Sequence, residues 1–415
     1  MSVSNPFDET MPKADAILMK ESGMSGGFVE KVEEARAKGM RMIVIKRPQL
    51  SFSNTVNGPY GLRRSIERII PDFFPLHSGL TTGTCATAAA VAATIRLTKE
   101  ETPSEVPVLL PNGETIAVAV GYGEGYAFCI KEAGDDPDVT NGIEVRASVE
   151  HSDGFEIKGG EGVGRFTLPG FDFPPGEAAI NKGPREMIRE NLLSILSSLT
   201  SHHSPLKVTI SIPNGEKIAQ KTFNPRLGIE GGISIIGVSG IVKPFSEEAF
   251  ISSIRKCMEV AKASGTDRVV INSGGKSERY LKDRYPNLPQ QAFVQYGNYI
   301  GETLKMAHEL CFRNVTLGVM LGKAVKLAAG HLDTHSRKTT MDLDFIQQML
   351  QESGITIDIS GITLARELWE RIPPTQLEAF AHTVIRHCAD YCSPLLPDGS
   401  LTILLIDDNG HIYTQ

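Results

Sequence analysis

Two runs decide the fold: "RVVINSG" at 268–274 and "NVTLGVML" at 314–321. Both are short and apolar almost throughout, and both end on small residues. A strand with one face in water alternates apolar and polar, whereas an unbroken apolar run belongs in a sheet covered on both faces, as parallel sheets are. Helical patterns follow, near 298–312 and from about Lys323. The same reading takes "ISIIG" at 233–237 as a strand with a helix from about Ser246, and the Asp-Asn-Gly of "LTILLIDDNGHIYTQ" (401–415) as the turn of a closing hairpin. Residues 227–415 are therefore predicted to form an α/β Rossmann-like domain with a mainly parallel sheet.

Upstream, residues 76–226 mix short strands with an Ala-rich helix after "SGLTTGTC" and predict an α+β N-terminal domain. "VLLPNGETIA" (108–117) and "ISIPNGEKIA" (210–219) echo each other and read as two hairpins with Pro-Asn-Gly turns. Residues 51–75, rich in Ser, Asn, Gly and Pro, read as a linker with one short helix near "RRSIERII". Residues 1–50 read as a strand "ADAILMK", a Gly turn "ESGMSGGF", a helix Val29 to Lys38 and a strand "MRMIVIKRP". Such a fragment cannot bury both faces of its strands alone.

The 415 residues exceed what one core usually serves, and 41% hydrophobic with 22% charged is a globular composition. A formal charge of −7 with no concentrated basic face excludes a general nucleic-acid binder. Six scattered cysteines in so long a chain do not read as a disulfide framework. The start lacks the features of a secretory leader and no apolar run reaches bilayer-spanning length, so a cytoplasmic location is expected.

In an open parallel sheet, ligands bind beyond the carboxyl ends of the strands. Three such ends are small here: "GVSG" (237–240), "SGGKS" (273–277) and "LGK" (321–323). There is no G-x-G-x-x-G, and "GVMLGKA" has neither the spacing nor the Ser/Thr of a P-loop. In "HSGLTTGTC", Thr81, Thr82 and Thr84 either bind an anion at a helix start or simply cap that helix. The acidic loop "KEAGDDPDVTNG" is either a cation or base site or a solvated, capping loop. "GHLDTHSR" places His331, Asp333 and His335 at alternate positions, which in an extended segment would share a face, but no fourth metal ligand stands at a recognisable spacing.

Five separated motifs carry a family resemblance: "LHSGLTTGTCATAAAVAA", "KEAGDDPDVTNG", "PPGEAAINKGPREMI", "GGISIIGVSGIVKPFS" and "GKAVKLAAGHLDTHSR". In this order, from Leu76 to Arg337, they resemble the signatures of the CbiD family of cobalt-precorrin-5B C-1 methyltransferases. The resemblance implies methylation of ring carbon C-1 in anaerobic cobalamin biosynthesis, with S-adenosylmethionine as co-substrate and the cobalt-precorrin as partner. Gly237, Ser239, Gly240, Ser273, Gly274 and Gly275 are the expected donor-binding residues. Thr81, Thr82, Thr84, Lys243, Lys323, Ser336 and Arg337 are the expected ring-binding residues, and Asp135, Asp136 or His335 the proton-handling groups. Cobalt belongs to the substrate, so no protein-bound metal is expected. Residues 1–50, through "KESGMSGGFVEKVEEARAKGMRMIVIKRP", resemble the carboxyl-terminal tail of precorrin-6A reductases, which implies a fusion remnant or the cut end of a fused pathway partner, without reductase activity. The competing readings are a nicotinamide-dependent corrinoid oxidoreductase and a non-catalytic corrinoid-binding pathway protein.

Overall fold

The structure is a computed structural model that describes residues 15–22, 27–46, 55–197 and 204–414. The chain divides into two compact units, 1–55 and 56–415. In the first, Ala16–Lys20 pairs in parallel with Arg41–Ile45, and the helix Phe28–Ala37 crosses between them. Ile17, Met19 and Ala35 are buried together, while Leu18, Ile43, Val44 and Ile45 are exposed. Burial alternates with period two in Ala16–Lys20, whereas Ile43, Val44 and Ile45 are exposed in succession. Most of the predicted Gly turn, at 23–26, lies outside the described residues.

The second unit holds two large apolar cores. The amino-terminal core lies between a five-stranded sheet and two helices. The strand order is Gly121–Gly123, Tyr126–Ile130, Glu144–His151, Leu206–Ser211, Glu156–Gly159, antiparallel except for the last pair. The helix Thr82–Lys99 is buried on every side from Thr82 to Thr94. Its run of alanines lets sheet and neighbouring helix approach closely. Its buried Thr87 and Thr94 hydroxyls are satisfied by the carbonyls of Gly83 and Ala90, four residues back. The second helix, Lys182–Ser197, carries Asn191, whose amide bonds both Leu109 N and Leu109 O and so pins the edge of a hairpin.

That hairpin is Glu105–Leu109 with Thr115–Ala119, turning at Pro-Asn-Gly with Gly113 at φ 83°. The echo at 210–219 is not a second one: after Leu206–Ser211 the chain enters the short helix Gly215–Ala219. Leu206–Ser211 already has a partner on each side, so no free edge remains for a returning strand. Residues 59–69 of the expected linker form the helix Pro59–Ile69, tied down by the Glu114 carboxylate, which accepts from Tyr60 N at 2.8 Å and Gly61 N at 3.2 Å. Residues 51–54 lie outside the described residues.

The carboxyl-terminal sheet runs in the order Phe293–Gln295, Arg268–Asn272, Asn314–Met320, Ser400–Ile406, Ile412–Tyr413, with only the last strand antiparallel. Val269, Ile271, Val315, Leu317, Ile403 and Leu405 face one apolar cluster; Val270, Phe293, Leu404 and Ile406 face another with Leu281. Burial on both faces is why these strands read as unbroken apolar runs. Leu281, on the helix Gly275–Arg284, presses onto Gly318, where a Cβ would stand 2.3 Å from its Cδ1. "ISIIG" is not part of this sheet. Ile233 and Ile235 make isolated bridges to Val163 and Ile180 and pack in the amino-terminal core. The helix Glu247–Ala263 begins after it, capped by Ser246, and crosses to the parallel half.

Candidate functional site

The candidate residues form two groups. At the start of the Thr82–Lys99 helix, the hydroxyls are turned inward. Thr82 Oγ1 accepts from Ile236 N at 2.9 Å and donates to Ser234 O at 3.1 Å; Thr84 Oγ1 donates to Gly240 O at 2.6 Å. Thr81 is the N-cap, accepting from Thr84 N, while its own N–H donates to Gly240 O. The three threonines thus clamp the 234–240 loop. Gly237 fits because a Cβ there would meet Thr81 Oγ1 at 2.3 Å. Thr82 and Thr84 are buried, so the sequence expectation that their hydroxyls meet a ligand is replaced by a scaffolding role. The loop they hold presents Ile236 and Val238, the latter 90% exposed. Ser239 Oγ folds back to Ile241 O, and Lys243 is exposed with its ammonium 5.8 Å from the Tyr60 ring centroid.

The acidic loop packs beside this ribbon. Asp135 accepts from His77 N at 2.6 Å and from His77 Nδ1 at 3.0 Å, while His77 Nε2 faces Pro71 O at 2.8 Å. With an acceptor at each ring nitrogen, His77 is held as imidazolium. The Pro71 carbonyl and then Asp135 raise its pKa, and the His77 backbone N–H and ring hold Asp135 below the usual carboxylate range. Asp136 accepts from the N–H of Phe245, an exposed residue with φ 54°. Asp138 pairs with the buried Lys131 at 2.7 Å. Burial pushes Asp138 up, but Lys131 and Thr140 outweigh it and the net shift is downward. All three carboxylates are therefore tethers. Cys85 is wholly buried against Cys129, which with burial raises its thiol far from reactivity.

The second group lies at the carboxyl ends of the parallel strands. The chain runs from the Arg268–Asn272 strand outward to Phe293–Gln295, then back across to Asn314–Met320 on the other flank. The order reverses between the Arg268–Asn272 and Asn314–Met320 strands, and in open α/β sheets the ligand crevice lies at such a switch point. Ser273, Gly274 and Gly275 leave one of those strands; Gly322 and Lys323 leave the other. A Cβ on Gly275 or Gly322 would meet nothing within 4 Å. A depression of about 370 Å³ lies beside this turn, lined by Arg226, Gly275, Glu278, Arg279, Lys282 and Asp283. Ser273 Oγ shares a hydrogen bond with Ser277 Oγ.

Lys323 donates to Gly297 O and to Asn298 Oδ1. Burial, then Lys326, lowers its pKa to about 8. After the helix Leu321–Ala328, Asp333 makes an isolated bridge to Tyr299 and the chain turns from His335. Asp333 accepts from His335 N at 3.1 Å and pairs with Lys338 at 2.9 Å, and His335 Nδ1 accepts from Arg337 N. Its Nε2 makes no hydrogen bond among the described residues. Ser336 and Arg337 are exposed. Among the described residues, no three His, Cys, Asp or Glu side chains cluster as metal ligands would, and no helix is long and apolar enough to cross a membrane. His77, Gln295, Asn298 and Glu278 escaped the sequence reading because each acts through a partner distant in the chain.

The fold combines a mostly antiparallel sheet and a mainly parallel sheet, each packed on helices, and the parallel sheet has small residues at the strand ends of its switch point. The CbiD family profile matches residues 72–244. The cobalt-precorrin-5B C(1)-methyltransferase of Prosthecochloris aestuarii is 41% identical over 346 residues, covering 80% of this chain and 94% of that one. The protein of the same name from Geobacillus kaustophilus is 43% identical over 341 residues, covering 79% and 91%. The crystal structure of cobalamin biosynthesis protein (cbiD) from Archaeoglobus fulgidus is 31% identical, covers 68% of this chain and 85% of that one, and superposes with a TM-score of 0.37. The chain belongs to the CbiD family.

Proposed function

We propose that this chain methylates C-1 of cobalt-precorrin-5B, giving cobalt-precorrin-6A, with S-adenosylmethionine as donor and in the cytoplasm. The observation that carries the reading is identity near 40% across almost the full length of relatives bearing that name. The donor supplies an electrophilic methyl on a sulfonium, whose positive charge is lost as the ring carbon attacks. No protein nucleophile is required; the chain must hold two partners in line and keep water out.

On this reading the mainly parallel half acts as a Rossmann-like donor-binding half. Ser273, Gly274 and Gly275 with Lys323 line the donor crevice, and the open Cα faces of Gly275 and Gly322 fit a ligand approaching the backbone. Ring carboxylates meet Lys243, Ser336 and Arg337, and the 237–240 loop, with Gly237, Ser239 and Gly240, offers backbone groups and the apolar Val238. With Nδ1 accepting from Arg337 N, His335 offers Nε2–H as a donor to a ring carboxylate; Asp135 and Asp136 already serve as tethers, so the proton that the ring gives up on methylation passes to water. Calorimetric titration with S-adenosylmethionine and S-adenosylhomocysteine, with and without the cobalt-corrinoid, tests the proposal alongside mass spectrometry of the ring. Binding of the nucleosides and a gain of one methyl are expected. Absence of both overturns the reading.

A further inference from the structure

We infer that Gln295 reads the donor's ribose in the switch-point crevice; this rests on the donor placement proposed above. Gln295 ends the edge strand Phe293–Gln295, directly beside the strand that delivers Ser273–Gly274–Gly275, in register with Asn272. In the dinucleotide-binding form of open α/β sheets an acidic side chain about twenty residues beyond the glycine turn accepts from a ribose hydroxyl, and an amide oxygen can accept the same bond. Gln295 is 20 residues beyond Gly275 by its number in the chain.

The amide lies flat over the turn. A Cβ on Gly274 would stand 3.1 Å from Gln295 Cδ and Oε1 and 3.3 Å from Nε2. Gly274, at φ 90°, is therefore the residue that lets this amide reach the crevice. Its orientation is fixed from behind. Nε2 donates to Glu278 Oε2 at 2.7 Å, and that buried carboxylate is itself held by Arg226 at 2.8 Å and Lys282 at 2.9 Å. Burial pushes the Glu278 pKa up, but the Arg226, Gln295 and Lys282 hydrogen bonds prevail and lower it, so it stays an acceptor. An ionised carboxylate accepts only, so the amide must turn Nε2 toward it and leave Oε1 as the group offered to a ligand. An oriented carbonyl oxygen with no charge of its own suits a hydroxyl donor.

The test compares S-adenosylhomocysteine with its 2′-deoxy and 3′-deoxy analogues by calorimetry. On the unaltered protein, at least one deoxy analogue is expected to bind about tenfold more weakly, the worth of one hydrogen bond. Gln295→Met, which keeps length and packing over Gly274, and Gln295→Asn, which keeps the amide but falls one carbon short, are each expected to weaken the parent ligand and erase the deoxy penalty. A thermal melt confirms that both variants fold. Gly275→Asp is the separate check on the crevice: its side chain enters open space, the strain of φ 53° is smaller for Asp than for most residues, and its melt is recorded with the other two to show that it folds. If Gly275→Asp loses S-adenosylhomocysteine while the deoxy penalty survives in both Gln295 variants, the ribose assignment is overturned and the donor placement stands. If Gly275→Asp binds the nucleoside as tightly as the unaltered protein, the donor placement itself fails.

Discussion

Thr82→Val preserves shape and removes only the hydroxyl, which makes it the sharpest probe of what the helix-start threonines do. Thr82 is 4% exposed, and its oxygen accepts from Ile236 N and donates to Ser234 O. Two hydrogen bonds are lost, at about 0.5–1.5 kcal/mol each, and an N–H left dry costs about 1–3 kcal/mol. Ile236 is itself half exposed, so water reaches part of that site and the lower end of each range applies. The expected loss is about 2 kcal/mol, a fall in Tm of roughly 2–3 °C for a unit of this size. Thr82→Ser keeps the oxygen and should lose well under half of that. Urea and thermal unfolding of the three proteins measure the effect, and corrinoid affinity is read in parallel. A scaffolding threonine lowers stability first and ring affinity through the loosened 234–240 loop. The reasoning is refuted if Thr82→Val melts with the unaltered protein yet binds the ring poorly, because the hydroxyl would then be touching substrate.

Asp138→Asn strips the partner from Lys131, whose side chain is 2% exposed, and should cost about 3 kcal/mol in urea unfolding. Adding Lys131→Met should recover much of it, and a single-variant loss below about 0.5 kcal/mol would contradict the buried pair. The His77–Asp135 tether is bounded on both sides by pH. His77 is raised, so its contribution is complete below the unfolded value near 6.5 and disappears as pH rises through the higher folded value. Asp135 is lowered, so its contribution is present above its unfolded value and is lost as pH falls through the folded one. The Tm gap between the unaltered protein and Asp135→Asn should therefore be widest between the unfolded Asp and His values, about 3.9 and 6.5, and narrow as pH rises above the latter, and a gap that is constant with pH rules the imidazolium out. Lys323, lowered to about 8, should lose its ammonium as pH climbs past that value, weakening S-adenosylhomocysteine. Its folded value lies below the unfolded one, so stability rises over the same window. Lys323→Arg should move the affinity limb upward by keeping the charge, and a flat affinity profile from about pH 7 to 9.5 in the unaltered protein would exclude the role.

Much of the parallel sheet was legible in the chain, because Arg268–Asn272 and Asn314–Met320 are buried on both faces and an apolar run has no other economical home. The helix start near Ser246 and the Asp-Asn-Gly turn were legible for a similar reason: each is fixed by bonds within a few residues. "ISIIG" has the same local signature as the true strands, yet only the amino-terminal core, by occupying Ile233 and Ile235, withholds it from the sheet. The second Pro-Asn-Gly differs from the first only in that its strand lies inside a sheet, a fact no ten-residue window contains. At the candidate site, sequence alone pointed to three segments: the threonine-rich helix start, the acidic loop and the small strand ends. Tertiary structure decided what their atoms do, turning Thr82 and Thr84 inward to the 234–240 loop, spending Asp135 and Asp136 on His77 and Phe245, and laying Gln295 over Gly274. The reason is that a hydrogen bond needs its two atoms about 3 Å apart, and here the bonded pairs are brought together from 58 to 156 residues apart in the chain.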